Sequence, residues 1–401
     1  MSVKLQELQI EARRWEVRRA PGAGIIESFG ATFFLLIAIE LHRAGTTMQA
    51  WVAAGGSLGM LLSPVVLYVV RRSGMAVNRA SAILMAASAV ALVPSQFLFS
   101  AWVYVVGGTV AMVCAMGSIP LITQMYQQNF PESGRGGVFG EVNRIKVLVL
   151  AFFSALAGWM LKLDLQRADV YLGVLAAAFA YSAWCVGRMP GRPLAEEPGH
   201  YPYRSLRLLR RDGYFRWLIL MWMLLGFGNL MMVPLKVKVL VEPVYGFEYS
   251  PLMVAVITGV IPSLTIFAFT RMWGGLFDRM NFALLRLLLN ILFVLSILIF
   301  FLSGHWAGFV AGSFLSGLGF AGGNVVWSLW VTRVAPDHEV ADYMSVHILM
   351  TGLRGLLAPM VSIPMAALWP LGGVVALSTG LILVSCLMLI PEWKGPGLHR
   401  S

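Results

Sequence analysis

Tyr343, His347, Thr351 and Arg354 recur at helical spacing, so a helix through them carries a phenol, an imidazole, a hydroxyl and a guanidinium down one face. The surrounding stretch is apolar, and Gly352, Gly355 and Pro359 in it permit bending or close packing. A guanidinium presents five donors in a planar fork and no acceptor. It therefore suits recognition of a carboxylate or another oxyanion rather than bond-making, or else it closes a structural ion pair or carbonyl contact. His347 reads equally as a ligand contact and as a packed core histidine. A second group, Asn324, Trp327 and Ser328, follows Gly322 and Gly323. An amide beside an indole fits an organic ligand, although Trp327 and Trp330 also suit plain packing or a membrane interface. Asn229 and, more weakly, Gln124 are further candidates for ligand contact. Lys236 and Lys238 read as interface lysines or as an electropositive mouth. Of two acids near the start, Glu27 is the candidate for proton exchange, because a carboxylate in a half-dry cavity can take up and release a proton. Glu40 reads as an end-of-helix charge beside His42 and Arg43.

Other chemistries find no support. The chain has no HExxH or CxxC motif, no GxxxxGK[ST] loop and no GxSxG element. Cys114, Cys185 and Cys386 sit apart within apolar stretches, as small buried side chains do. No metal, cofactor or catalytic residue is expected, and the chain does not read as an enzyme.

The elements that carry these residues are twelve apolar runs, at 22-42, 47-70, 78-96, 101-125, 142-161, 169-187, 217-240, 251-271, 282-303, 305-332, 342-367 and 371-391. Each is close to the 20 or so residues that cross a bilayer, where backbone groups must be satisfied within the helix. Of the 401 residues, 58% are hydrophobic and only 12% charged, outside the usual range of a soluble domain. The fold class that follows is all-α, a membrane protein of twelve transmembrane helices. The 188-216 gap, rich in Pro, Arg and Gly, divides the runs into bundles at 22-187 and 217-391, flanked by an N-terminal segment, 1-21, and a tail, 392-401. Leu5, Leu8, Ile10 and Trp15 make 1-21 a weakly amphipathic stretch, expected to lie on the membrane face. Arginines around Leu206, Leu208 and Leu209 give the gap the same character, and a tether between halves is its plainest role.

Arginine and lysine fix the orientation. Most of the 30 basic residues fall in the terminal segments, the central gap and alternate loops, which places both termini in the cytoplasm. The net charge of +11 is then a topology signal and a contact with membrane lipids, and no nucleic-acid partner is expected. A bacterial inner membrane is the expected location.

Gly274-Gly275-Leu276-Phe277-Asp278-Arg279-Met280-Asn281, between runs eight and nine, resembles the G-x-L-x-D-R-x-G loop of the major facilitator superfamily, with Asn281 in place of the usual Gly. Asn tolerates the left-handed conformation that Gly supplies there. Arg72 and Arg79 fall on Arg279 and Arg286 with one offset of 207, an internal repeat in which Arg71 takes the acidic position. Asn129-Phe130-Pro131-Glu132 and Ala335-Pro336-Asp337, each ahead of a Gly-containing run, are similar to loops of the same family.

The resemblance implies two pseudo-symmetric six-helix bundles with a substrate cavity between them near the midplane, exposed alternately to each side. It also implies that Gly274, Asp278 and Arg279 form a conformational motif, with the Asp278 carboxylate latching one half to a helix terminus of the other. The expected activity is secondary active transport of a small organic solute, anionic if Arg354 binds it, with protons as the coupling ion. A membrane receptor or scaffold and an amphiphile or lipid flippase are the alternatives.

Overall fold

The structure, a computed structural model, describes residues 3–194, 201–336 and 339–393. Asp337, most of the expected tail and part of the central gap lie outside the described residues. Twelve helices long and apolar enough to span a membrane occur among those described: α1 Gln6–Glu40, α2 Thr46–Ser73, α3 Val77–Phe97, α4 Ala101–Asn129, α5 Gly136–Leu163, α6 Leu165–Arg188, α7 Gly213–Val241, α8 Pro251–Arg279, α9 Phe282–Leu302, α10 Trp306–Ser328, α11 Asp342–Leu368 and α12 Leu371–Ile390. Every apolar run becomes one of them.

The helix ends differ from the apolar runs. The segment expected on the membrane face is instead the start of α1, which reaches 35 residues. Ala12 and Ala20 bury small side chains in the bundle. Glu16, also buried, takes two bonds from Arg19 (2.8 and 2.6 Å) and one from the Tyr126 hydroxyl (2.9 Å). A polar helix end thus finds protein partners and has no need of lipid. At the other boundary, α8 continues through the glycine-rich motif to Arg279. Asn281 has φ −59°, not a left-handed value, and its side chain accepts from the backbone N–H of Ala283 and Leu284, capping α9. Asn replaces Gly here as an N-cap, a role that glycine fills less well. Among its described residues the central gap forms no long surface helix: Arg204–Arg207 and Leu208–Arg211 make two short turns. These dock on protein through Leu208, a Ser205 to Asp342 bond (2.7 Å) and the Arg211–Glu339 ion pair.

Helices α1–α6 pack as one bundle and α7–α12 as a second. Between them α2 crosses α11 and α5 crosses α8, contacts that exchange under the internal repeat. Small residues allow these crossings, as in membrane bundles generally. A Cβ at Gly352 of α11 would stand 2.9 Å from the Leu61 backbone nitrogen of α2, and one at Gly158 of α5 would stand 3.0 Å from the Leu252 Cα. We call the side on which α1 begins the near face and the opposite side the far face. Bonded contacts between bundles gather toward the far face. There Lys238 of α7 donates to Gln49 of α2 (2.8 Å) and to Glu242 (2.5 Å), while the Gln49 amide also donates to Glu242 (2.9 Å). One level deeper, π-helical turns Phe29–Phe33 of α1 and Val256–Val260 of α8 meet, and Thr32 bonds Thr258 at 2.9 Å. Such wide turns recur at functional positions in helices.

Candidate functional site

Arg354 stands twelve residues into α11, roughly 18 Å from its first residue at 1.5 Å per residue, hence near mid-membrane. It is 6% exposed. Its Nη1 donates to the Trp222 carbonyl of α7, and its Nη2 donates to Thr351 Oγ1 (3.3 Å). The guanidinium lies against Gly226, where any Cβ would overlap it. Removing Arg from water near the bilayer centre costs several kcal/mol. One charge-assisted bond to a carbonyl returns about 1.5–3 kcal/mol of that.

His347, one turn nearer the near face than Thr351, is ringed by three indoles: Trp222 and Trp327 at 5.3 Å and Trp330 at 5.2 Å between ring centres. Trp327 Nε1 donates to Thr351 Oγ1 (3.3 Å), which ties α10 to α11. Tyr343 closes the row by donating to Asp212 (2.6 Å). Tyr343, His347 and Arg354 therefore turn into the C-terminal bundle. Thr351 is the member of the row that reaches the space between bundles. There it lines a cavity of about 160 Å³ with Ser57, Leu230, Pro234, Gly355 and Pro359. A smaller space of about 50 Å³ shares Ala53, Val233 and Pro234 with it and extends toward α1. Organic-ligand pockets usually occupy about 300–1,000 Å³, so the bundles must part for a solute to enter.

The other candidates lie apart. Asn229 is half-buried on α7, and Gln124 is half-buried on α4. Asn324 stays exposed, its carbonyl accepting from Ser328 (2.8 Å). Glu27 forms an ion pair with Lys146 of α5 (2.7 Å), with side chains 45% and 28% exposed, so this carboxylate on α1 faces a lysine within its own bundle. Gly274 admits a Cβ without contact, and Asp278 and Arg279 are exposed at the end of α8.

Sequence reasoning missed Arg286. α9 starts at Phe282, and from its second turn this arginine extends inward to be 1% exposed. Its guanidinium carbon lies 4.3 Å from the Trp222 ring centre and 5.8 Å from that of Phe282. Arg354 lies 5.9 Å from the same Trp222 ring. The two cations are thus within ~10 Å of each other and repel by roughly 2 kcal/mol at an effective dielectric near 20. The repeat gave no such signal, since Arg79, its counterpart, is exposed. Asn290 did offer one, as a second polar residue one turn on, and it is buried and bonded to Ser385 (3.4 Å).

None of the curated proteins resembles the chain significantly in sequence. Its fold is similar to that of a nucleoside transporter, NupG, with TM-score 0.75 and 14% identity over 96% of this chain and 100% of that one. A POT peptide transporter gives TM-score 0.71 and 13% identity over 98% of both chains. The human organic anion transporter MFSD10 gives 0.68 and 14% over 94% of this chain and 99% of that one. At such identities the likeness establishes the fold. The sequence itself matches the family model of the Major Facilitator Superfamily over residues 22–359. Twelve spanning helices in two bundles joined by α2–α11 and α5–α8 crossings are the architecture of that match, and the chain belongs to the Major Facilitator Superfamily.

Proposed function

We propose that this membrane transporter moves a small anionic organic solute by alternating access, with the site built around Arg354. The observation that carries the reading is a guanidinium held at mid-membrane depth, bonded to a wall residue of the space between bundles. Among the described residues, each Asp and Glu after residue 212 stands at or beyond a helix end, so the C-terminal bundle brings no carboxylate to that depth. His347, Thr351, Trp327 and Asn324 on α10 and α11, with Asn229 on α7 and Gln124 on α4, are the remaining proposed contacts. Solved neighbours that carry nucleosides, peptides and organic anions support a small-molecule solute. Glu27, paired with Lys146, is the proposed proton carrier: protonation releases the lysine, and reformation of the pair expels the proton. We assign the near face and both termini to the cytoplasm, in a bacterial inner membrane, with 188-216 as the tether and Gly274, Asp278 and Arg279 as the conformational motif.

Thermal unfolding of the purified protein with benzoate tests the site, because a ligand that binds only the folded state raises its stability. Benzoate should stabilise wild type. Arg354→Ala should weaken its affinity at least tenfold, and Arg354→Lys should restore it partly, because an ammonium lacks the planar fork. A well-folded Ala variant with unchanged affinity would return Arg354 to a packing role and remove the ground for an anionic solute.

A further inference from the structure

Around Trp222 the C-terminal bundle gathers nitrogen without acceptors. Nε, Nη1 and Nη2 of Arg286, Nε of Arg354, Nε1 of Trp222 and Trp330 and Nε2 of His347 are all buried with no hydrogen-bond partner. All five side chains belong to residues under one-tenth exposed. Buried polar groups are ordinarily satisfied, so a local surplus of this kind asks for an explanation. The surplus is chiefly of donors, the one unpartnered acceptor near it in sequence being Asn290 Oδ1, a turn along α9 from Arg286. Guanidinium and indole nitrogens can only donate, and two of the groups are full cations over a single ring. The group that complements such a cluster brings several acceptor oxygens and more than one negative charge.

Access runs through Arg354. Its Nη2 rests on Thr351, which lines the space between the bundles, so the cluster is one side chain behind that wall. Rotation of Arg354 about its long stem would expose the donors behind it. Resting on the anionic reading above, we propose that Arg286, Arg354 and His347, walled by Trp222 and Trp330, bind a doubly charged oxyanion group of the solute, of the phosphonate or phosphate-monoester class. Arg354 meets the group first, and Arg286 supplies the second charge that separates a dianion from a carboxylate. The indole and imidazole nitrogens fill the remaining acceptor positions.

Phenylphosphonate and benzoate carry the same ring and differ in head group. Near pH ~8 a group of the phosphate class carries close to two charges. Thermal unfolding of the full chain in phosphate-free detergent, at matched ionic strength, should give at least tenfold higher affinity for phenylphosphonate. Arg286→Gln should bring that ratio to about one, weakening phenylphosphonate at least tenfold more than benzoate, which loses only the longer-range attraction of one charge. Asn290→Asp is the second variant: it sets a carboxylate one turn from Arg286, and it should stabilise the ligand-free protein and abolish the preference. Benzoate binding that depends on Arg354, without a phosphonate preference in wild type, would sink this inference and leave the anionic reading intact. A preference that survives in either folded variant would also overturn it. Failure of both probes on wild type would sink the two readings together.

Discussion

Gly226 shows how much a single residue position decides at the site. Alanine is favoured over glycine inside a helix by about 1 kcal/mol, so Gly226→Ala should stabilise α7 if nothing else mattered. The new methyl would overlap the Arg354 guanidinium, and overpacking of that kind costs about 1–3 kcal/mol. We expect overpacking to win: the variant should melt lower than wild type and bind benzoate several-fold more weakly, as read by thermal unfolding and titration. A higher melting temperature with wild-type affinity would mean that Arg354 has room to move and that Gly226 does not position it. Arg354 itself was legible in the sequence, because a guanidinium in the middle of an apolar run has nowhere wet to go. Arg286 was not, since five residues into a run a basic side chain can turn out to the interface or in to the core. Only the position of Trp222, contributed by a helix more than sixty residues earlier, decides between them.

At the scale of the element, hydropathy revealed all twelve helices but few of their ends. Apolar runs stop where lipid stops, whereas helices stop where backbone caps. Thus α8 carries its charged last turn to Arg279, and α9 begins at the cap that Asn281 supplies. The contact between α2 and α7 is of another kind, for its register depends on three side chains meeting at once. Lys238 is 4% exposed, and its partners are Gln49 of α2 and Glu242, the residue that follows α7. Removing one member of a buried pair leaves the other charge uncompensated, at about 3–5 kcal/mol when burial is complete; Glu242 is partly exposed, so the loss here is smaller. Lys238→Met should therefore loosen the far face. Spin labels at the beginning of α2 and the end of α7 should show a longer mean distance than in wild type, and Lys238→Met with Glu242→Gln should recover part of the stability. Unchanged distances would mean that the Thr32–Thr258 level holds the far face closed by itself.

Over the whole molecule, two bundles of six helices meet at two crossings that the internal repeat relates, and both crossings rest on glycines. The repeat was visible in the chain as the constant offset between Arg72, Arg79 and Arg279, Arg286. What it could not disclose is that equivalent positions have diverged, one arginine wet and the other dry. The orientation follows from basic residues. Reporters of compartment fused after residue 400 and inserted within residues 192 to 204 should both give a cytoplasmic signal, and an external signal from either would reverse the assignment of the near face.

The length of α1 also bears on how the protein is made. Its 35 residues measure about 52 Å, while the hydrocarbon layer is about 30 Å thick. The surplus turns carry Arg13, Arg14, Arg18 and Arg19 and bury Glu16 beneath Tyr126, a residue 110 positions later. Those turns are synthesised well before Tyr126 leaves the ribosome, so their arginines are hydrated while the first three helices insert. With the near face cytoplasmic, as proposed above, retention of α1 by its own positive charge comes first, and the buried side of the stretch finds its partner only once α4 is in place, while Arg13, Arg14 and Arg18 stay exposed. One segment serves in succession as an anchor during biogenesis and as a packed strut in the mature fold.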